Sequence, residues 1–372
     1  MNILITGSNG FVAKNLIFYL KKNENKFKLL KFSKKNNFND LKKKIFKSDI
    51  IFHLAGTNKD KKKKFFTKNN YELTKKICQF IEESKKKIPL IFSSTKHVYL
   101  ETDYGISKKK SEEVIKKFSK KNNPCVIYRL PGIFGKWCKP NYNSVVATFC
   151  NNIIFNKKVN IIDPKKIIEL CYIDDVVKSF EKHIYLKQGS KKLLIINKFR
   201  KSYFISIKNL YKKILYFNKT KDSLFIDKIG KGFDKLLYAT FLSYLPPNLF
   251  SSNYLMPKKD KRGLFVEACK SKTHGQFSFF TLKPGQIRGN HYHNTKIEKF
   301  FIIKGSALFK FCNIVTKKKF SLKISSNSFK TIVSIPGWSH SIKNIGNSEL
   351  IGNVWANEVF DISKPDTQKY NL

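Results

Sequence analysis

The stretch from Gly285 to Gly305 constrains the fold of this chain more than any other. Within eight residues of this stretch lie three potential metal ligands, namely His291, His293 and Glu298. Residues two apart in a β-strand point to the same face, so the two histidines can reach one ion. Glu298 would return on the next strand, and a Pro-Gly turn would place His340 on a further strand near the same point. Three imidazoles and one carboxylate suit a divalent first-row transition metal, because Ca²⁺ and Mg²⁺ prefer oxygen ligands.

The spacing of these residues resembles the two motifs of the cupin family. Gly285 to Gly305 matches the first motif in full, with His-x-His after five residues and Glu after four more. Pro336 to Asn344 matches the second motif, except that the residue usually found between Pro and Gly is missing. The alternative is that the histidines are ordinary polar strand residues, but the chain has only 7 histidines. The resemblance implies a jelly-roll barrel that holds a divalent metal, and zinc is the ion we expect.

The composition predicts two domains and gives no support to a nucleic-acid partner. The chain has 372 residues, 41% of them hydrophobic, which is enough for two packed cores. Its net charge of +48 is almost entirely lysine, because only residues 129, 200, 262 and 288 are arginine. A nucleic-acid site usually concentrates arginine and aromatic side chains on one face. We therefore expect no nucleic-acid partner.

The cysteines and the apolar runs predict a cytoplasmic protein. Seven cysteines are scattered with no Cys-x-x-Cys pair, and their odd number argues against a disulfide framework. Met1 leads directly into a strand-like segment, which leaves no room for a signal peptide. No apolar run approaches the ~18 residues needed to span a bilayer. We expect a reducing compartment and no membrane partner.

The N-terminal segment predicts a dinucleotide site. An apolar strand from Asn2 to Thr6 is followed by the turn GSNGFVA and by a helical pattern through Leu20. Strand, glycine turn and helix together offer free N–H groups and the positive end of a helix dipole to a pyrophosphate. This turn resembles that of extended short-chain dehydrogenases/reductases, with Ala13 in the third glycine position. The candidate cofactor residues here are Gly7, Asn9, Gly10, Phe11 and Val12.

The next two strands indicate which cofactor the site would take. After the strand from Lys28 to Phe32, an enzyme that prefers NAD would usually carry an acid for the ribose 2′-hydroxyl. This chain carries Ser33 and Lys34 followed by a second lysine, which favours the 2′-phosphate of NADPH. The strand after that ends in His-Leu-Ala-Gly, where the family resemblance implies that the cofactor is lined by Leu54, Ala55 and Gly56. Asn70 either supports the catalytic site or lies on a helix surface.

Thr95, Tyr104 and Lys108 form the candidate catalytic triad. A tyrosine of ordinary pKa near 10 exchanges protons poorly at pH 7, and a lysine one helical turn away would lower that pKa. Tyr-x-x-x-Lys is a weak signal in so lysine-rich a chain, since it also occurs at positions 71, 254 and 292. Only Tyr104 follows a hydroxyl-bearing strand end where the fold requires it. The resemblance implies that Tyr104 and Lys108 also contact the cofactor.

The segments around the triad favour carbonyl reduction over dehydration. Relatives that dehydrate a sugar carry Asp-Glu after the threonine, whereas this chain carries Lys96 and His97. Further on, RLPGIFGKWCKPNYNS resembles the substrate-facing segment of nucleotide-sugar reductases, in which a lysine–arginine pair can hold a diphosphate. The alternative is a basic loop with structural roles only. The candidate substrate residues are Arg129, Lys136, Asn141 and Asn143.

The pattern predicts an α/β Rossmann-like doubly wound parallel sheet in residues 1–245. An all-β cupin barrel is expected in residues 246–372. Pro246 and Pro247, with the polar segment 250–253, read as the linker. From Leu264 onward the chain is β-patterned with Gly and Pro at its turns.

Taken together, the segments resemble the CapF/WbjC family of bifunctional UDP-2-acetamido-2,6-dideoxy-β-L-arabino-hexul-4-ose reductases. The resemblance rests on RLPGIFGKWCKPNYNSVVATFC, GNHYHNTKIEKFFIIKG and WANEVFDISKPDT. It implies C3 epimerisation of a UDP-4-keto-6-deoxy-N-acetylhexosamine by the cupin domain, then C4 reduction with NADPH, toward UDP-N-acetyl-L-fucosamine for capsule or O-antigen. It also implies a homodimer.

Three questions stay open at this point. The cupin could be a non-catalytic binding or dimerisation module, or it could be a metal-dependent oxygenase, although four protein ligands leave few open coordination positions for an oxygenase. The metal could act on the substrate or only hold the barrel. The residues that could serve as the C3 base are Lys296, Tyr292 and His274.

Overall fold

The computed structural model divides into two compact units. It describes residues 1–22, 25–59, 63–185, 194–226, 229–250 and 255–372. The first unit comprises residues 1–218 and 231–246, and the second comprises residues 219–230 and 247–372. Segment 219–230 is therefore grouped with the C-terminal unit. Residues 251–253 of the predicted linker, and Tyr254, lie outside the described residues.

The first unit contains a six-stranded parallel sheet in the order β2-β1-β3-β4-β5-β8. The same unit also contains a three-stranded sheet in the order β6-β7-β9. The strands are β1 Asn2–Thr6, β2 Lys28–Phe32, β3 Ile50–His53, β4 Leu90–Thr95, β5 Cys125–Leu130, β6 Gly132–Phe134, β7 Ile167–Tyr172, β8 Leu194–Lys198 and β9 Tyr203–Ser206.

Helices follow most of these strands, as parallel pairing requires. They are α1 Phe11–Lys21, α2 Phe38–Phe46, α3 Lys63–Phe66, α4 Leu73–Glu83, α5 Asp103–Ser119, α6 Val145–Ile154, α7 Ile173–Glu181, α8 Ile207–Thr220 and α9 Gly232–Leu242. A π-helical turn, Thr67–Glu72, joins α3 to α4, and a 3₁₀ turn, Lys96–Tyr99, follows β4. Within the described ranges, no helix combines the length and the apolarity needed to cross a bilayer.

The parallel sheet is buried on both faces, which explains its unbroken apolar strands. Alternate residues of β1 go to opposite sides: Ile3 and Ile5 join one core cluster, and Leu4 joins the other. In β3, Phe52 and Ile51 divide in the same way. Each strand therefore anchors a helix layer on each face.

The strand order places a ligand crevice at the end of β1. The chain leaves β1 for β2 on one side and later returns to β3 on the other, and ligands of doubly wound sheets bind where this reversal occurs. Gly7, directly after β1, has φ +67°, and a Cβ there would lie 2.7 Å from the Cα of Ala55. Only glycine allows this close approach of the two strand ends.

The second unit consists of two antiparallel sheets. Their orders are β10-β11-β12-β19-β14-β17 and β16-β15-β18-β13-β20. The strands are β10 Lys258–Asp260, β11 Gly263–Ser271, β12 Gly275–Leu282, β13 Ile287–Tyr292, β14 Glu298–Lys304, β15 Ser306–Asn313, β16 Lys319–Ser325, β17 Thr331–Ser334, β18 Trp338–Asn344, β19 Leu350–Ala356 and β20 Gln368–Lys369. Short 3₁₀ turns lie at Pro247–Leu249 and Ser326–Ser328.

A phenylalanine-rich core fills this second unit. Phe280, Leu282, Phe300 and Val354 from the first sheet are buried against Phe309 from the second. The predicted fold class, a Rossmann-like parallel sheet followed by an all-β cupin-like unit, is confirmed.

Candidate functional site

The first turn of α1 is built to receive an anion. Its N-cap is Gly10, which has no side chain to satisfy the free N–H groups, and no acid lies in the first turn. The Gly10 N–H donates to the carbonyl of Gly7 at 2.7 Å. A Cβ at Gly10 would lie 3.0 Å from that same oxygen. The turn is therefore tight, and its exposed N–H groups suit a phosphate.

A cavity of about 840 Å³ opens from this turn along the carboxyl ends of β1, β2 and β3. Eight of the predicted cofactor residues line it: Gly7, Asn9, Gly10, Ser33, Lys34, Leu54, Ala55 and Gly56. Four others do not, namely Phe11, Val12, Tyr104 and Lys108. Phe11 and Val12 instead pack, half-buried, against the core beneath α1.

The cavity is electropositive at the end of β2. Lys34, Lys35 and Lys68 line it, and no carboxylate is among the described lining residues. The side chain of Asn36 accepts hydrogen bonds from the backbone N–H and hydroxyl of Ser33, at 2.9 and 3.3 Å, which fixes this loop. The lysines can therefore attract a phosphate into a formed pocket.

Thr95, Tyr104 and Lys108 come together beside the cavity. Thr95 ends β4, and its side chain hydrogen-bonds Tyr104 in the first turn of α5. One turn later, the Lys108 ammonium donates to the Ser93 carbonyl at 2.6 Å. A Cβ at Gly56 would lie 3.7 Å from the Lys108 Nζ, so this ammonium borders the cavity wall.

Burial sets the protonation of this trio. Burial raises the pKa of Tyr104 to about 12, although the hydrogen bond with Thr95 acts in the opposite direction. Burial lowers the pKa of Lys108 to about 7, although the nearby carboxylate of Glu112 favours the charged ammonium and so acts to raise this pKa. The sequence predicts that Lys108 depresses the pKa of Tyr104, but this is wrong: the pKa is raised, because desolvation of the phenolate dominates. Tyr104 therefore carries its proton at neutral pH, as a proton donor must.

A buried hydrogen-bond chain that sequence reasoning did not find runs behind the cavity. The Ala55 N–H donates to the Thr6 hydroxyl at 3.1 Å, which contacts Nδ1 of His53 at 2.9 Å. Nε2 of His53 lies 2.9 Å from the Thr74 hydroxyl, which itself donates to the Asn70 carbonyl. The Thr74 hydroxyl donates its single proton to Asn70, so toward His53 it can only accept, and Nε2 of His53 must carry the ring proton. Nδ1 of His53 then accepts a hydrogen bond from the Thr6 hydroxyl. His53 is thereby fixed as one neutral tautomer.

The electrostatics of His53 agree with this assignment. It is fully buried, and burial, together with the charge of Lys108, lowers its pKa to about 3. The sequence signal for this hydrogen-bond chain is the histidine of His-Leu-Ala-Gly, because a buried strand end without polar partners would carry an apolar residue there. The chain of contacts ties the end of β1 to the end of β3.

Asn70 extends the chain to the catalytic helix. Its side-chain oxygen accepts from the Thr57 N–H at 2.7 Å, and its amide donates to the Thr57 carbonyl and the Ser107 hydroxyl. Ser107 in turn donates to the Tyr104 carbonyl at 2.8 Å. Asn70 is buried in the π-helical turn, so the helix-surface alternative is wrong.

The four candidate substrate residues lie apart from the cofactor cavity, and two are engaged by carboxylates. Arg129 makes a bidentate pair with buried Glu112 and also contacts Tyr99. Lys136 binds Asp174 at 2.7 Å. The role of Arg129 and Lys136 in holding substrate stays a prediction. To bind a diphosphate, each cation would have to keep its carboxylate partner beside the phosphate or release it.

The two asparagines lie on the loop before α6. Asn141 has φ +54°, and its amide donates to Asn152 at 3.2 Å. Asn143 donates to the carbonyl of Asn58 at 3.5 Å. The loop is therefore held from two sides. The predicted contact of these asparagines with substrate stays a prediction.

Lys96, which stands where dehydrating relatives carry an acid, is neutralised by Glu169. The Lys96 ammonium contacts both oxygens of the Glu169 carboxylate, and the Ser202 hydroxyl donates to the same carboxylate at 2.6 Å. The backbone N–H of His97 donates to Thr95 Oγ1 at 3.2 Å. In this arrangement neither side chain supplies the acid–base pair of a dehydratase.

The four predicted metal ligands of the second unit converge. The ligand atoms of His291, His293, Glu298 and His340 lie within 4.8 Å of one another. Nε2 of His293 and Nε2 of His340 are each 3.2 Å from the same Glu298 oxygen. Burial would raise the pKa of Glu298, but the close approach of His293 and His340 to its carboxylate holds that pKa well below its usual range.

The chemistry of these donors fits a divalent transition metal. Nδ1 of His293 donates to the Asp366 carbonyl at 2.5 Å, so the lone pair of its Nε2 faces the cluster. The buried Nε2 of His291 lacks a hydrogen-bond partner among the described residues. Burial also lowers the pKa of His291 to about 4, which keeps that imidazole neutral. Neutral imidazoles and an ionised carboxylate are the forms that bind metal.

The loop before Glu298 is held by Asp366. This carboxylate accepts backbone N–H bonds from residues 294, 295 and 296 at 2.8, 2.6 and 2.9 Å. Of the candidate bases, Lys296 has its ammonium 3.8 Å from Glu298. His274 binds Ser271 and Thr273 in a turn between β11 and β12, and Tyr292 packs against Tyr370.

Two families match successive parts of the chain. Residues 3–184 match the NAD dependent epimerase/dehydratase family, and residues 258–368 match the polysaccharide biosynthesis C-terminal domain. The first match supports a nicotinamide cofactor for the cavity described above.

Two relatives align over essentially the full chain, and a third aligns over part of it. A UDP-2-acetamido-2,6-beta-L-arabino-hexul-4-ose reductase of Pseudomonas aeruginosa is 39% identical over 99% of this chain and 98% of its own length. The crystal structure of the capsular polysaccharide assembling protein CapF from Staphylococcus aureus has a TM-score of 0.90 and 31% identity, with 100% of both chains covered. A UDP-glucuronic acid 4-epimerase of Bacillus cereus, 19% identical with a TM-score of 0.52, shares the fold over 59% of this chain and 84% of its own. At 39% identity over 99% of its length to the Pseudomonas reductase, and with the CapF fold over the whole chain, this chain belongs to the CapF/WbjC family of nucleotide-sugar reductases.

Proposed function

We propose that this protein is a bifunctional enzyme that epimerises C3 of a UDP-4-keto-6-deoxy-N-acetylhexosamine and then reduces C4 with NADPH. The observation that carries the proposal is the presence of two chemically complementary sites in one chain. One is the trio Thr95, Tyr104 and Lys108 beside a dinucleotide cavity, and the other is the cluster in the barrel. The Pseudomonas relative, whose name specifies reduction of a UDP-2-acetamido hexul-4-ose, supports a UDP-linked 4-keto sugar as the substrate.

In the first unit, Tyr104 would complete the reduction. A bound reduced nicotinamide would supply a hydride to the C4 carbonyl carbon. The Thr95 hydroxyl would hydrogen-bond the carbonyl oxygen, and the Tyr104 phenol would give its proton to the developing alkoxide. Lys108, which borders the cavity, would compensate the negative charge left on Tyr104.

In the second unit, the chain would invert C3. A proton next to a ketone is acidic because the carbanion delocalises as an enolate, so a base can remove it and an acid can return one to the opposite face. A divalent metal held by His291, His293, Glu298 and His340 would act as a Lewis acid on the substrate. Reduction of C4 then removes the acidity of C3 and traps the new configuration.

The cavity favours NADPH over NADH. The ribose 2′-phosphate is expected at the end of β2, where Lys34 and Lys35 line the wall and Ser33 is held by Asn36. An enzyme specific for NADH would usually place a carboxylate there. Two lysines instead provide positive charge for the ribose 2′-phosphate, a group that NADPH has and NADH lacks.

The test is NADPH oxidation in the presence of the UDP-4-keto sugar. Tyr104→Phe should lower turnover by on the order of 100-fold or more, since a general acid typically contributes 10² to 10⁴. The matched control is Tyr71→Phe, because Tyr71 also begins a Tyr-x-x-x-Lys pair but does not belong to the trio. Unchanged turnover in Tyr104→Phe would exclude this reductase site.

The second arm separates a catalytic cupin from a binding module. If the barrel inverts C3, His291→Ala should abolish exchange of the C3 proton while leaving NADPH oxidation with substrate already inverted at C3. Exchange that survives His291→Ala would favour a reductase with a non-catalytic barrel. The proposal also includes a cytoplasmic homodimer directed to capsule or O-antigen synthesis, and sedimentation at twice the chain mass of 43.4 kDa tests the dimer.

A further inference from the structure

We infer that Arg262 and Arg288 form an oxyanion site at the barrel cavity, and that its ligand is the diphosphate of the nucleotide sugar. The inference rests on the proposed function, because it gives the epimerising barrel its own means of holding the substrate. The two guanidinium groups would grip the phosphates while the sugar reaches the histidine–glutamate cluster.

The cavity itself connects the arginines to the cluster. It has a volume of about 260 Å³, and its wall includes Arg262, Arg288, His291, Glu298 and His340. This is below the ~300–1,000 Å³ typical of pockets that bury a whole drug-sized ligand. A sugar ring can enter, and the nucleotide that carries it must remain at the mouth. The phosphates, which join the two, would then lie between the mouth and the cluster.

The use of arginine at this place is not explained by the basic composition. Lysine and arginine together number 74, of which only four residues are arginine, and two of those four line this one cavity. Arginine differs from lysine in its planar, five-donor fork, which binds phosphate oxygens in pairs. A surface position that only needed positive charge would most often carry lysine in this chain.

A β-bulge turns Arg288 toward the cluster. Arg288 and His291 are three positions apart in sequence, so in a regular strand they would point to opposite faces. The register of β13 against β18 shifts between Gly289 and His291, which inserts one extra residue. Gly289 has φ +94°, and a Cβ there would lie 2.5 Å from the carbonyl oxygen of His340. The bulge therefore brings Arg288 and His291 into the same cavity.

The arginine donors are only partly satisfied by protein groups. Asp260 accepts two bonds from the guanidinium of Arg262, at 3.1 and 2.6 Å, but its contact with Arg288 is long, at 3.5 Å. The Arg288 side chain is only 15% exposed, and its buried Nε–H has no acceptor among the described residues. An unpaired buried donor is costly, so it points to a ligand that supplies the acceptor.

A diphosphate fits this arrangement better than a single carboxylate. Arg262 is more exposed, at 38%, and lies with Asp260 at the rim, while Arg288 reaches deeper. Two guanidinium groups at different depths can each bind one phosphate of a pair. Because these contacts form in the ground state and persist through the reaction, they should set KM rather than kcat.

The test measures C3 proton exchange in deuterated water without NADPH, so that only the barrel reaction is read. Arg288→Lys and Arg262→Lys should each raise KM by on the order of 10- to 100-fold, with kcat within about threefold of wild type. Free UDP should inhibit exchange in the wild type and should do so less effectively, by a similar factor, in both variants. Lys310→Gln, at an exposed position on β15, is the control and should change neither value.

Three outcomes overturn the inference or its basis separately. Unchanged KM and UDP inhibition in both arginine variants would exclude a diphosphate site. A fall in kcat at unchanged KM would instead assign the arginines to the reacting oxygen. Exchange that is absent, or that survives His291→Ala, would contradict the proposed function itself. Calorimetric titration of the full chain with UDP is independent of activity: two sites per chain in the wild type and one in Arg288→Gln support the inference, and two in both exclude it.

Discussion

Replacing Lys108 with methionine should stabilise the protein while abolishing reduction. Lys108 is buried, and its pKa falls from the ordinary 10.5 to about 7. At 1.36 kcal/mol per pKa unit, holding its charge inside costs about 5 kcal/mol when it is fully protonated. Loss of the hydrogen bond to Ser93 offsets about 1–2 kcal/mol of the gain. The net stabilisation expected for Lys108→Met at pH 6 is therefore about 3 kcal/mol.

The pH dependence gives this prediction its sharpest form. Between pH 7 and pH 10.5 the unfolded chain binds more protons at Lys108 than the folded chain, so the wild type gains stability as pH rises. The variant lacks this gain. Its advantage should be largest below pH 7, should fall to about 1 kcal/mol or less by pH 9, and should vanish between about pH 9 and pH 10, where the remaining cost of the charge equals the lost hydrogen bond.

Urea unfolding of both proteins at pH 6, 7.5 and 9 measures the effect. Lys109→Met, an exposed neighbour on the same helix, should change the free energy of unfolding by less than about 0.5 kcal/mol at every pH. A variant at Lys108 that is less stable than wild type at pH 6, or an advantage that does not shrink with pH, would refute the reasoning.

Three further predictions concern other parts of the two sites. Lys34→Glu combined with Lys35→Glu should weaken NADPH binding by on the order of 10- to 100-fold and leave NADH binding nearly unchanged, as measured by nicotinamide fluorescence. His53→Leu should lower the free energy of unfolding by about 2–4 kcal/mol in urea titrations, because it leaves a buried hydroxyl donor unpaired. Gly289→Ala should cost several kcal/mol and should abolish zinc retention in dialysed protein, since its Cβ would meet the His340 carbonyl at 2.5 Å. Retention of zinc in that variant would show that the bulge does not position the cluster.

The elements closest to the sequence pattern were the most predictable. The bounds expected for β1 and β2 coincide with those in the structure, because short apolar runs between glycine or polar turns leave little choice. The four metal-ligand candidates converge because their spacing follows strand periodicity and hairpin return. The turn at Gly7 and the loop at Ser33 also line one cavity, as the order of a doubly wound sheet requires.

The features that were missed depend on contacts between distant segments. The pKa of Tyr104 is set by burial, which periodicity does not measure. The pairing of Arg129 with Glu112 joins a strand to a helix that precedes it in sequence. The neutral tautomer of His53 follows from hydroxyl groups on two separate elements. None of these contacts has a local spacing that would reveal it.

The bulge at Gly289 shows the limit of strand periodicity most clearly. Simple alternation places Arg288 and His291 on opposite faces, yet both line the barrel cavity. One inserted residue reverses the facing of everything before it. The glycine was visible in the sequence, but its positive φ was not.

The most direct test of the central claim is the position of deuterium in the product. The UDP-4-keto sugar is converted by the full chain with NADPH in deuterated water, and NMR scores C3 and C4 separately. We predict deuterium at C3 from solvent and protium at C4 from the cofactor in the wild type. With His291→Ala, whose ligand atom belongs to the cluster, we predict no deuterium at C3. Protium at C3 in the wild-type product, or equal deuterium at C3 in both proteins, would contradict the account.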